Sequence, residues 1–169
     1  MTLPPKRASE SATEMVQVVL PNDANPLGFI LGGTVMHLID IAGAIACHRH
    51  SRSRVVTAAV DDLQFLHPIK VGDLIILKSR VTCAFTTSLE VRVEVYSEEV
   101  LTGRRRLTSH AYLTFVTIAV NGTRAEVPPL LVETDEDRRI AGDAHARRAE
   151  RLKNRTQAQD RDWPTRPAS

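Results

Sequence analysis

Between residues 27 and 47 the chain is apolar on nearly every side, yet it carries Asp40 and His37 near its middle and Gly28, Gly32, Gly33 and Gly43 along its length. A stretch of this length is close to a bilayer span, but a central Asp costs about 2.5–3.5 kcal/mol there. No basic flank anchors its start. The better reading is a helix over residues 34–48, buried in a soluble fold and covered on most sides. The rest of the chain must supply that cover.

It does so with strands. Residues 14–20 read as a first strand closed by Pro21, and the turn formers of residues 21–28 make a loop. After the helix come four β segments, over residues 55–66, 74–85, 89–95 and 107–120. The third alternates apolar and charged residues, as a half-buried strand should, and in the second Ile75, Leu77, Val81, Cys83 and Phe85 are expected to share one face. A strand, a buried helix and four successive antiparallel strands imply a meander curled about the helix. The fold class is therefore α+β, a hot-dog fold with an antiparallel sheet wrapped around a central helix.

The ends differ in composition. Residues 1–12 contain Pro4, Pro5, Lys6 and Arg7 without the apolar run of a signal peptide, and read as a loose leader. The hot-dog domain takes residues 13–132. Residues 133–155 read as a charged C-terminal surface helix with Arg147, Arg148, Arg151, Lys153 and Arg155 in its second half, and residues 156–169 as a disordered tail. Across 169 residues the formal net charge is only +2, which does not imply nucleic-acid binding. Two unpaired-looking cysteines, Cys47 and Cys83, fit a reducing, cytoplasmic setting.

Asp40 is the residue with most chemical content. A carboxylate among apolar residues is expensive to keep ionised unless it is paired or reaches a cleft. It is either a structural Asp satisfied by neighbouring backbone or a functional one. Gly32 and Gly33 stand at the helix start, where exposed N–H groups favour developing negative charge, as in an oxyanion hole. Asp40 lies about two turns further along, near enough to serve a reaction there through water. Asn25, in the preceding loop, offers an amide that donates to a carbonyl or holds a water, unless it is plain turn chemistry. Cys47-His48-x-His50 has metal-ligand types, but a helix end carrying favourable cations explains it better, so no metal is expected. Asp61 and Asp62, adjacent on a strand, point to opposite faces and do not converge on one bond. No G-x-S-x-G, P-loop or H-E-x-x-H pattern occurs.

The string PNDANPLGFILGGTVMHLIDIAGAI resembles the first segment of the hot-dog acyl-CoA hydrolases. The likeness continues through VVTAAVDDLQFLHPIKVGD, AFTTSLEVRVEV and EEVLTGRRRLTSHAYLTFV, four blocks in one order over residues 14–132. The resemblance implies an acyl-CoA thioesterase that releases a free acid and coenzyme A. Asp40 and Asn25 match the family's catalytic Asp and Asn, with Gly33 at the helix start holding the thioester oxygen. Asp40 would act as general base, or attack directly through an anhydride. The coenzyme A contacts would fall on Ala58, Ala59 and Val60, on Thr87, Ser88 and Leu89, and on Arg147 or Arg148. The same resemblance implies a homodimer with sites made from Asn25 of one subunit and Asp40 of the other, and a hexamer built as a trimer of dimers. It implies no cofactor beyond coenzyme A as part of substrate and product, no nucleic-acid partner and no membrane span. Pro26 and Leu31 depart from the bacterial pattern and are expected to reshape the acyl pocket. The rival reading is a non-catalytic hot-dog domain that binds acyl-CoA as a regulator.

Overall fold

The computed structural model describes residues 3–159. Strand β1 (Thr13–Val18) leads through a long connection with a 3-10 turn at Pro21–Asp23 into helix α1 (Gly32–Ser51), followed by β2 (Arg54–Phe65), β3 (Leu74–Ala84), β4 (Ser88–Glu98), β5 (Arg105–Ile118) and helix α2 (Asp135–Gln159). All strand pairs are antiparallel and form one sheet in the order β1-β3-β4-β5-β2. This corrects the expected meander of four successive strands. Only β3, β4 and β5 run as neighbours in sequence, while β2 crosses over to pair with β5 at the far edge.

Alternation on β4 sends Leu89, Val91, Val93 and Val95 inward, where they meet Ala111, Leu113 and Phe115 of β5 and Ile75, Leu77 and Val81 of β3. Helix α1 lies in this concave face through Val35, Leu38, Ile39, Ala42, Gly43, Ala46 and Cys47. Its remaining side is open in the single chain: Met36 is 47% exposed, and Gly33 and His37 are exposed with it.

Gly43 sets how closely helix and sheet approach. A methyl group there would stand 2.9 Å from Cε2 of Phe115, a fully buried ring with little room to move. Alanine gains up to about 1 kcal/mol in helix propensity over glycine, whereas overpacking a tight core costs about 1–3 kcal/mol. Gly43→Ala is therefore expected to lose about 1–2 kcal/mol net. The readout is a lower urea midpoint at unchanged slope.

A bulge on β3 reverses one expectation. Val81 pairs with Val91 but Cys83 pairs with Glu90, so Thr82 is the extra residue. Past that point Cys83 and Phe85 leave the core face held by Ile75, Leu77 and Val81. They meet His145 of α2 instead, Cys83 at 3.8 Å through Sγ and Phe85 edge-on at 5.2 Å between ring centres. Burial pushes the Cys83 thiol up to about 11.

Helix α2 crosses the outer face of the sheet. Thr134 Oγ1 accepts from the Asp137 N–H at 3.0 Å and Asp137 Oδ2 accepts from the Thr134 N–H at 3.1 Å, a reciprocal cap. Its first turn is acidic (Asp135, Glu136, Asp137), as the helix dipole favours. It runs past Arg155 to Gln159, so residues 156–159, expected in the tail, are helical. The rest of the expected tail, residues 160–169, lies outside the described residues.

Two residues of the expected loose leader, Lys6 and Arg7, are tied down. Lys6 donates its N–H to the Pro129 carbonyl and accepts from the Leu131 N–H, and its ammonium donates to the His50 carbonyl at 2.7 Å. Arg7 forks onto Glu133. Backbone pairing with the 129–131 segment supplies what its composition does not advertise.

Candidate active site

The loop before α1 is organised by Asn25. Its Oδ1 accepts from the Leu27 and Phe29 N–H groups at 3.0 and 3.2 Å, and its own N–H donates to the Phe29 carbonyl at 2.8 Å. Gly28 closes this turn at φ +80°, a left-handed conformation that favours glycine. The side-chain oxygen is consumed by turn chemistry. The Nδ2 hydrogens have no protein acceptor among the described residues and stay available to a ligand. Turn former and donor are the same residue.

Helix α1 starts without a side-chain cap, its N-cap being Leu31. The first intrahelical donor recorded is Val35 N–H to the Leu31 carbonyl, so the N–H groups of Gly32, Gly33 and Thr34 have no partner within the helix. A methyl group at Gly33 would have nothing within 4 Å, so one face of this turn is open. Beside it lies a cavity of about 300 Å³ with Asn25, Phe29, Gly32, Phe65 and His67 among its walls.

Asp40 sits elsewhere. About two turns further along α1, it is half-buried, and its Oδ1 accepts from the Thr57 hydroxyl at 2.5 Å. It is not among the residues lining the cavity beside Asn25. Thr57 immediately precedes a bulge in β2: Thr57 pairs with Phe115 and Ala59 with Thr114, leaving Ala58 without an opposite number. Ala58, Ala59 and Val60 thus occupy a bulged stretch of an edge strand whose other side is unpaired among the described residues. Neither the Thr57–Asp40 contact nor the bulge has a signal in the sequence, where Thr57 is one β-branched residue among several.

The remaining candidates gather near this bulge. Leu89 pairs with Phe115, as Thr57 does from the other side, so the start of β4 and the bulge share one level of the sheet. Leu89 is fully buried and pairs with Ala84 on one side and Phe115 on the other. The Thr87 carbonyl accepts from the Thr117 N–H and hydroxyl at 3.1 and 3.0 Å, and the Ser88 carbonyl from the Phe85 N–H at 2.8 Å.

The two arginines part company. Arg147 binds the fully buried Glu90 through Nε and Nη2 at 3.1 and 2.7 Å and lies 3.7 Å above the Tyr112 ring. Those two donors are committed to the fold. Arg148 stacks 4.6 Å over Phe85 beside a cavity of about 450 Å³ that also takes in Thr86, Pro129 and His145, and no carboxylate pairs with it among the described residues. Arg151, the other basic candidate of this helix, is tied to Asp61 at 2.6 Å.

The histidines of the Cys47-His48-x-His50 pattern, where no metal is expected, have other partners. His48 Nδ1 lies 2.9 Å from the Ser53 carbonyl and His50 Nε2 2.9 Å from that of Pro128. Among the described residues no group of three or more His, Cys, Asp or Glu is placed to hold a metal ion. Asp61 and Asp62 diverge, Asp61 to Arg151 and Asp62, at φ +50°, towards His110 at 3.6 Å.

The model of the thioesterase superfamily matches residues 27–103. A Bacillus subtilis protein named as an uncharacterized acyl-CoA thioester hydrolase is 38% identical over 146 residues, covering 86% of this chain and 84% of its own length. The chain belongs to the acyl-CoA thioester hydrolase family. The human cytosolic acyl coenzyme A thioester hydrolase is 31% identical over 137 residues, 80% of this chain but only 36% of that longer relative. Among solved structures, the Staphylococcus aureus acyl-CoA hydrolase, in complex with butyryl coenzyme A, coenzyme A and coenzyme A disulfide, superposes with a TM-score of 0.85 at 34% identity, over 93% of this chain and 96% of its own. An apo-hexameric acyl-CoA thioesterase gives 0.85 at 38% identity, over 90% and 97%. The hot-dog fold read from the strand and helix pattern is the fold of these hydrolases.

The candidate pieces are distributed over the described residues, with Asp40 outside the cavity that Asn25 lines. Free N–H groups and an amide donor stand at the α1 start. A carboxylate held by a hydroxyl stands on the open flank of α1, and backbone at a bulged edge stands beside it. No helix among the described residues is long and apolar enough to cross a membrane.

Proposed function

We propose that this chain hydrolyses acyl-CoA to a free acid and coenzyme A at sites built by two copies, Asn25 and the Gly33 helix start from one and Asp40 from the other. The observation that carries the reading is that Asp40 lies outside the cavity lined by Asn25, on an α1 flank left open by its own sheet. The unpaired edge of β2, with Val56 and Val60 exposed, borders that flank and is the place for a second copy to add its own β2. The Staphylococcus aureus hydrolase has been solved with an asparagine, an aspartate and a threonine each replaced by alanine. Their mutual spacing equals that of Asn25, Asp40 and Thr57, which supports placing these three residues in the site here.

In this mechanism the N–H groups at the α1 start receive the thioester oxygen, where negative charge develops. Asn25 Nδ2 holds the carbonyl or the water. Asp40, oriented by Thr57, takes a proton from water as its oxygen bonds to the thioester carbon. The tetrahedral intermediate then expels the coenzyme A thiolate, which needs no strong acid and recovers the proton from Asp40. Backbone at 58–60 and 87–89 lines the pantetheine path, and Arg148, rather than Arg147, meets the nucleotide phosphates. Coenzyme A enters only as part of substrate and product. A trimer of such dimers and action in the cytosol complete the reading, supported by the hexameric neighbour and the cytosolic human relative.

A free-thiol assay against a series of acyl-CoAs tests the activity, and a mixing experiment tests the shared site. Asn25→Ala and Asp40→Asn subunits, each inactive alone, are expected to recover about a quarter of wild-type activity after random exchange at equal amounts, since half the dimers then hold one intact site. No recovery despite proven exchange would place both residues in one chain's site. Absence of thiol release with every acyl-CoA, alongside tight binding, would favour the regulator instead.

A further inference from the structure

We propose that the cavity between α2 and the outer face of the sheet binds a phosphate-type oxyanion. Arg80 of β3, Arg92 of β4, and Arg139 and Arg147 of α2 converge on it, together with Tyr112 and one carboxylate, Asp143. Its volume of about 70 Å³ exceeds what a single water needs and admits one tetrahedral oxyanion.

Three observations point to an anion. Arg80 and Arg92 stand directly opposite each other in the β3–β4 ladder, an arrangement that destabilises a sheet. One step along the same face, Lys78 stands opposite Glu94, the pairing that a merely solvated surface favours. Second, Arg92 Nε is buried and has no acceptor among the described residues, and an unmet donor on a cation is costly. Third, the carboxylates that hold these arginines leave donors over. Asp137 takes Nη2 of Arg80, Glu94 takes Nη2 of Arg92, and Glu90 takes Nε and Nη2 of Arg147. Glu136 and Asp143 share Arg139. A guanidinium has five N–H donors in a planar fork that suits phosphate oxygens.

An oxyanion here would offset the Arg80–Arg92 repulsion and bridge both strands to α2. The site lies on the opposite flank of α2 from Arg148, so it is separate from the proposed coenzyme A contacts. A groove of about 370 Å³ shares Arg80 and Arg92 and continues past Thr13 and Lys78. The phosphate chemistry is therefore open to a free ion or to the phosphate end of a larger molecule.

Thermal denaturation and titration calorimetry of the full chain, with inorganic phosphate against sodium chloride of equal ionic strength, test the proposal. The wild-type midpoint should climb with phosphate and calorimetry should show one anion per chain at this site. Arg92→Gln and Arg80→Gln should each weaken binding about tenfold or more, while Arg148→Gln, outside the cavity, keeps it. Phenyl phosphate separates the sources: an equal climb that still needs Arg92 assigns the phosphate end of a larger molecule, and a climb with inorganic phosphate alone assigns the free ion. A phosphate effect no larger than that of chloride, or one undiminished in both the Arg92 and Arg80 variants, overturns the site.

Discussion

Asp40→Asn is expected to lower kcat by about 10²–10⁴-fold, the usual worth of a positioned general base. The substitution is nearly isosteric, and the amide oxygen still accepts the Thr57 hydroxyl that Asp40 Oδ1 accepts at 2.5 Å. The α1 register and the β2 bulge therefore have no reason to change. KM for acyl-CoA should move little, because the proposed binding contacts at 58–60, 87–89 and Arg148 are untouched and the lost interaction belongs to the transition state. Steady-state kinetics across an acyl-CoA series, with assembly checked by sedimentation, reads both parameters. Wild-type turnover in a correctly assembled variant would remove Asp40 from the mechanism.

The second large effect falls on stability. Arg147→Ala leaves the Glu90 carboxylate, fully buried under α2, without its fork partner. Removing one member of a buried pair costs about 3–5 kcal/mol, because the remaining charge stays in the protein interior. The stacking on Tyr112 is lost as well. Thr82 Oγ1 still donates to Glu90 Oε1 at 2.7 Å, but a single hydroxyl does not replace a guanidinium. Urea unfolding at fixed protein concentration should show the midpoint fall at unchanged slope. The double change Arg147→Met with Glu90→Met, which removes both charges and keeps apolar bulk, should recover much of the loss. An Arg147→Ala midpoint within error of wild type would mean that α2 does not depend on this pair.

The pair also distinguishes Arg147 from Arg148. Arg147 and Arg148 are adjacent in a basic run, and composition treats them alike. A step of about 100° around the helix sends one onto Glu90 and the other onto Phe85. Which of the two a buried carboxylate holds depends on the strands beneath. Glu90 itself reads in the sequence as an ordinary outward charge of an alternating strand, and only the docking of α2 makes it a buried one.

Local pattern carries far in this chain. The period-two alternation of β4, the long apolar helix broken by one carboxylate, and the turn formers ahead of it are properties of neighbouring residues, so they are legible without coordinates. So is the family, because its four blocks combine those local patterns with the Asn25, Gly33 and Asp40 positions. Partner choice is different, since it depends on residues far apart in sequence. That β2 joins β5 rather than β3, that an extra Thr82 turns Cys83 and Phe85 outward, and that Lys6 and Arg7 are pinned by residues 129–133 all rest on long-range pairing. The Thr57 hydroxyl reaching Asp40, and the separation of Asp40 from Asn25, are decided in the same way. Side-chain period reveals which face of an element is apolar, but the energy of ladder bonds and buried charges decides what that face meets.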